Sequence, residues 1–220
     1  SADYEAVAPL LERALQRERH REDPAALVLG QAAQAVARAA ELLAGAYTLV
    51  ATNVPYLARG KQDQALAAYC DERYPLGKSD LATAFIERCR AFAAPGGSYA
   101  IVSPHNWSFL GSYRGLREAL LREHVVHCFC PLGEHGFVSS QAAGAFTALS
   151  ILSNAYPRQP SALVGIDADS GPTPHDKARL LREGPVLEVS QADELRNPDA
   201  RITLVRRSSG TLLAQYAEGF

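Results

Sequence analysis

An apolar, β-favouring run from Tyr47 to Val50 ends abruptly in Asn53-Val54-Pro55-Tyr56. No other stretch constrains the fold as tightly. A buried strand of this kind belongs in an open α/β sheet, and ligand sites in such sheets lie beyond the carboxyl ends of the strands. The Asn53 amide can accept from and donate to a ring-attached amine. Pro55 fixes its own φ and pushes Val54 to an extended conformation, which stiffens the turn. Tyr56 offers a face on which a base can stack. The group suits a flat, amide-bearing ligand, and a nucleobase swung out of a helix is one that such a pocket would seize.

The elements around this run follow an α/β order. Residues 2–19 carry Val7, Leu10, Leu11 and Leu15 on one helical face. Asp23-Pro24 starts a second, Ala- and Leu-rich helix over 25–44, which Gly45 stops. A helical pattern over 62–73 is broken by Pro75-Leu76-Gly77. Ser79 or Asp80 then caps a helix to about Ala93 with Leu81, Phe85, Ile86 and Cys89 inward. Pro95-Gly96-Gly97 reads as a turn, Ser98 to Ser103 as a strand, and 112–123 as a helix with Leu116, Leu120 and Leu121 inward. Val125 to Cys130 and residues 145–153 read as strands joined by a loop without helical pattern, hence an antiparallel pair.

The fold class expected is therefore α/β: part of a doubly wound, largely parallel Rossmann-like sheet ending in an antiparallel strand pair. Residues 1–45 would be N-terminal helices, 46–155 the core, and 156–220 a small irregular α+β extension. The five prolines from Pro157 to Pro185 interrupt that extension. A short helix near 175–182 and strands near 185–189 and 201–205 are expected within it.

Composition excludes several classes. The chain of 220 residues is 47% hydrophobic and 21% charged, with net charge −2, which is ordinary for a globular core. A dedicated nucleic-acid-binding module is usually basic, so any DNA contact here is local or completed by other parts of a longer polypeptide. No run reaches the roughly 18 apolar residues of a membrane span, and nothing reads as a signal peptide. A cytoplasmic setting is expected. The four cysteines, Cys70, Cys89, Cys128 and Cys130, lack zinc spacing and read as reduced thiols. Alternation along the strand is taken to send the Cys128 and Cys130 thiols to opposite faces, where they cannot bond.

The order of motifs resembles a known family. Asn53-Val54-Pro55-Tyr56 looks like the Asn-Pro-Pro-Tyr motif of S-adenosylmethionine-dependent N6-adenine DNA methyltransferases. Lys78-Ser79-Asp80-Leu81 with Phe85-Ile86-Glu87-Arg88-Cys89 resembles the helix after it. Pro95-Gly96-Gly97, Ile101-Val102-Ser103-Pro104 and Asn106-Trp107 resemble the next strand and turn. Gly111 to Leu121 resembles the following helix, and Leu132-Gly133-Glu134 with Phe137 the loop after that. The series, over about residues 30–155, is similar to Eco57I-type restriction–modification proteins and to methyltransferases of BREX phage-exclusion systems.

The resemblance implies an enzyme, a site-specific, adenine-specific DNA methyltransferase that takes its methyl group from S-adenosylmethionine. Asn53 and the Val54 carbonyl would accept the two N6 hydrogens of a flipped adenine, with Pro55 stiffening the loop. Tyr56 would stack on the ring, Phe137 would contact it from another side, and Phe85 would face the cofactor's adenine. The partners implied are double-stranded DNA and the remainder of the parent polypeptide, with no membrane. Val54 replaces a proline, which keeps the carbonyl but is expected to loosen the loop. Nothing before Tyr47 resembles the glycine-rich cofactor loop, since Gly30 and Gly45 are isolated. The chain would then be the C-terminal part of a catalytic domain, inactive alone. The alternative is a degenerate, non-catalytic module that binds DNA or a protein partner. A third reading is methylation of another amine, such as a glutamine side chain.

Other residues have plainer readings. Trp107 is expected to pack, and Arg114, Arg117 and Arg122 to lie on a solvated helix face. Lys78 and Asp80 read as surface and helix-start residues. His124, His127 and His135 with Glu134 lack a fourth ligand at suitable spacing, so no metal site is assigned.

Overall fold

In the computed structural model, residues 13, 24–138 and 145–205 are described. The helix expected over 2–19 lies outside them, apart from Arg13. The chain divides into two units, residues 1–47 and 48–220. The first contains helix α1, Pro24–Ala44, whose end is marked by Gly45 donating to the Glu41 carbonyl at 3.1 Å.

The second unit is organised on a sheet of order β1-β2-β4-β3-β5-β6. The strands are β1 Tyr47–Asn53, β2 Ala93–Pro104, β3 Val125–Gly133, β4 Thr147–Ser153, β5 Ala162–Gly165 and β6 Leu187–Ser190. The helices are α2 Gln64–Arg73, α3 Leu81–Phe92, α4 Arg114–Glu123, α5 Pro174–Glu183 and α6 Gln191–Leu195. Strand β4 runs antiparallel to both β2 and β3, β3 is parallel to β5, and β5 is antiparallel to β6. The sheet is thus mixed, where a largely parallel one was expected. The cause is β4, which inserts antiparallel between β2 and β3. The antiparallel pair expected from the helix-free loop is β3 and β4.

Residues 156–205 extend this same sheet through β5 and β6. Strand β5 was not anticipated, because four residues next to Pro160 carry too little pattern. Residues 201–205, expected as a strand, are irregular. Pro95-Gly96-Gly97, expected as a turn, lies within β2. There Gly96 takes a positive φ of 77°, and Gly96 and Gly97 exchange backbone hydrogen bonds with Asn154 at 2.8 Å.

The core forms where the helix faces meet the sheet. Ile86 and Cys89 of α3 and Leu116, Leu120 and Leu121 of α4 are buried with Tyr99, Ile101, Val126, Phe129 and Leu152 of the strands. Each large side chain so buried contributes about 1.5–3 kcal/mol. Gly77 sits against the first turn of α3, where a Cβ would lie 2.4 Å from the Thr83 carbonyl oxygen, so no larger residue fits.

Three polar side chains tie the elements together. Arg117 is fully buried, contrary to the solvated face expected for it. Its guanidinium donates to the carbonyls of Trp107, Leu110 and Asp199 at 2.6–3.1 Å. Gln191 bridges Leu121 and His124 carbonyls to the Val126 amide. The Lys177 ammonium donates to the carbonyls of Leu132, Ala168 and Asp169.

Cys128 Sγ lies 3.4 Å from Cys130 Sγ, which corrects the expectation of opposite faces. Strand alternation has a period of two, so residues i and i+2 share a face. Each thiol shifts the other: Cys130 is drawn down to about 7 and Cys128 is pushed up. No helix among the described residues is long and apolar enough to cross a membrane.

Candidate functional site

The carboxyl ends of β1 and β2 lie side by side, since the Val54 N–H donates to the Val102 carbonyl at 3.4 Å. The start of antiparallel β4 joins them, with Pro104 opposite Thr147. A cavity of about 310 Å³ opens at this end of the sheet, lined by Tyr56, Pro104, Asn106, Phe109, Ala145 and Phe146. Its volume falls within the range of small-molecule pockets.

The four residues of the opening motif divide by exposure. Asn53 and Pro55 are exposed, Val54 is buried at 4%, and Tyr56 is half-buried against the core. Val54 does not loosen the loop, as its replacement of proline suggested. Its side chain is rooted in the core, and its N–H makes a hydrogen bond that proline has no hydrogen to form. The Asn53 amide has no side-chain hydrogen bond among the described residues, and the Val54 carbonyl accepts no backbone N–H there. Both acceptors are available.

The chain leaving the motif is held to the start of α3. Leu81 donates to the Leu57 carbonyl and Arg59 to the Ser79 carbonyl, both at 3.0 Å, and Ala58 forms a bridge with Asp80. Asp80 caps α3 through the Ala82 N–H at 2.8 Å. Burial, with the Asp80 charge adding to it, pushes the Tyr56 phenol up to about 12, so it stays neutral. The Tyr56 hydroxyl is shut off from solvent and has no partner among the described residues.

The loop after β2 forms the second wall. Trp107 is buried, donates from Nε1 to Ser103 Oγ at 3.0 Å and meets Phe129 edge-on. It packs, as expected. His105 lies between Phe109 and Phe129, with ring centroids 5.4 and 5.7 Å away, and burial lowers its pKa against the pull of Asp169 and Asp167.

The other expected site residues fall elsewhere. Phe137 is half-buried in the loop after β3 and does not line the cavity; Phe146, unremarked in the sequence, does. Phe85 is partly buried and packs against the core. His124 and His127 are engaged separately, by Tyr99 and Ser153.

A cavity beyond the carboxyl ends of the strands is where open α/β sheets place their ligand sites. Residues 14–135, more than half of the chain, match the Eco57I restriction-modification methylase family, and the chain belongs to it. The adenine-specific methyltransferase PglX of Lacticaseibacillus casei is 37% identical over 100 residues, 46% of this chain and 8% of that protein. The adenine-specific methyltransferase BrxX of Escherichia coli O9:H4 is 30% identical over 96 residues, 44% of this chain and 8% of that protein. The matches thus take in under a tenth of those relatives. Two solved structures share the fold. One is the Type ISP restriction-modification enzyme LlaGI, with a TM-score of 0.54 and 15% identity over 74% of this chain and 18% of that one. The other is a type I restriction-modification methyltransferase subunit from Streptococcus thermophilus, with a TM-score of 0.52 and 21% identity over 70% and 37%.

Proposed function

We propose that this chain is the base-binding part of an adenine-specific DNA methyltransferase, and that its cavity receives an adenine extruded from duplex DNA. The observation that carries this reading is the meeting of three features at one sheet end. These are the exposed Asn53 amide and the adjacent Val54 carbonyl, both unbonded among the described residues, and a cavity lined by Tyr56.

The N6 amine of adenine is a poor nucleophile because its lone pair is delocalised into the ring. Asn53 Oδ1 and the Val54 carbonyl would each accept one N6 hydrogen. Two fixed acceptors draw the nitrogen toward tetrahedral geometry and aim its lone pair outward. The Val54 side chain in the core and the Asp80 bond to the Leu57 N–H hold the backbone of this loop. Tyr56 would stack on the ring, and Pro55 keeps the turn from yielding. No general base is needed, because the proton can leave after methyl transfer.

S-adenosylmethionine, the donor that the family implies, supplies an electrophilic methyl on a sulfonium. Phe85, the aromatic implied to face it, is partly buried and packs onto the core. The main part of the donor site is therefore assigned to other segments of a longer polypeptide.

The test is to express the full-length polypeptide in a host without adenine methylation and sequence its DNA. N6-methyladenine at one repeated sequence supports the reading. DNA binding with no methylation would instead identify a non-catalytic module.

A further inference from the structure

Tyr56 and Asn106 line the same apolar cavity, and one polar atom of each, Tyr56 Oη and Asn106 Oδ1, is closed to solvent and without a partner among the described residues. An unpaired buried acceptor is uncommon in a folded protein and calls for an explanation. For Asn106 the surroundings supply one. Its neighbours are pinned on both sides by contacts that do not use its side chain. The His105 N–H donates to the Phe146 carbonyl at 2.9 Å, and the Trp107 indole donates to Ser103. Arg117 holds the carbonyls of Trp107 and Leu110 at 2.6 and 2.7 Å. The Asn106 carbonyl closes the turn by accepting the N–H of Phe109 and of Leu110. The backbone is thus fixed from 105 to 110, while the amide does no structural work.

We infer that Asn106 is a second base-contacting residue, which reads a ring nitrogen of the extruded adenine while Asn53 holds its exocyclic amine. This rests on the function proposed above. Adenine offers N1, N3 and N7 as acceptors around its rim. The amide nitrogen Nδ2, which has no hydrogen-bond partner among the described residues, donates to such a nitrogen. The walls around it are apolar, so this hydrogen bond would form away from water. A base with a C–H at that position would leave the amide unpaired, which is how a buried polar group discriminates.

The experiment uses the full-length protein and a duplex bearing its methylated sequence. The target adenine is replaced in turn by 1-deaza-, 3-deaza- and 7-deazaadenine, each of which lacks one ring acceptor. Asn106→Ala is expected to lower kcat/KM on adenine by about tenfold to a hundredfold. One of the three analogues should be a poorer substrate for the wild type by a similar factor, and on that analogue Asn106→Ala should cost nothing further. The thermal midpoint should be unchanged, since no hydrogen bond is removed. A factor that is the same on adenine and all three analogues, or no loss at all, overturns the inference. Absence of methylation by the wild type removes the proposed function and this inference with it. Methylation that is abolished by Asn53→Ala but untouched by Asn106→Ala overturns this inference alone.

Discussion

Asp80 Oδ1 accepts two backbone N–H groups, that of Ala82 at 2.8 Å and that of Leu57 at 3.2 Å. The first caps a helix. The second lies one residue past Tyr56 and fixes where the motif's loop ends. One carboxylate oxygen therefore couples the start of α3 to the wall of the cavity.

Replacing Asp80 should accordingly do more than fray a helix. Asp80→Ala is expected to cost about 1–2 kcal/mol from the cap, measured by urea denaturation. Turnover should fall further than that loss explains, because the loop carrying Tyr56 is released. Asp80→Asn retains an acceptor oxygen and should recover most of both. Equal stability and equal turnover in Asp80→Ala would show that the loop is held by other contacts.

Tyr56 separates stacking from hydrogen bonding. Its hydroxyl has no partner among the described residues, so Tyr56→Phe should keep kcat/KM within about threefold and leave stability intact. Tyr56→Ala removes the ring and should weaken base capture by about tenfold to a hundredfold, the measured range for stacking on an aromatic. Steady-state kinetics on duplex DNA distinguishes the two.

Arg117 is expected to be a keystone of folding. Its removal strands the carbonyls of Trp107, Leu110 and Asp199 in the interior, so Arg117→Leu should cost at least about 3 kcal/mol in chemical denaturation. Lysine cannot reproduce the planar fork, and Arg117→Lys should fall between the two.

His124 makes stability depend on pH. Its ring is buried, with Nδ1 3.1 Å from the Tyr99 hydroxyl, and burial, then the Arg90 charge, pulls its pKa from 6.5 down to about 4. The unfolded chain takes up this proton as pH falls below 6.5, whereas the folded chain refuses it until about 4. The contribution is therefore complete above the unfolded value and is lost as pH falls through this window, by up to roughly 2–3 kcal/mol. The urea midpoint at pH about 7.5 and about 5 checks it, and His124→Gln should flatten the difference.

Much of this architecture was legible where a residue pattern is local. The strand ending at Asn53, the cap at Asp80 and the inward leucines of α4 follow from spacing alone. What escaped depends on partners far along the chain. Arg117 looks like a surface charge until Asp199 meets it across 82 residues. Phe146 carries no sequence signal as a cavity wall, because its place is set by β4 inserting between β2 and β3. The contact of the Cys128 and Cys130 thiols is local, since residues i and i+2 of a strand share a face. Val54 seemed a weakened proline, since the hydrogen bond it donates to Val102 is visible only when both strand ends are placed.

The most direct test of the account is transfer of a labelled methyl group to duplex DNA by the full-length polypeptide carrying Asn53→Ala. Loss of one fixed acceptor at the reacting nitrogen should lower kcat by about a hundredfold to a thousandfold, with the fold and DNA binding retained. Transfer at the wild-type rate would contradict the role given to Asn53 and, with it, the assignment of this cavity to the target base.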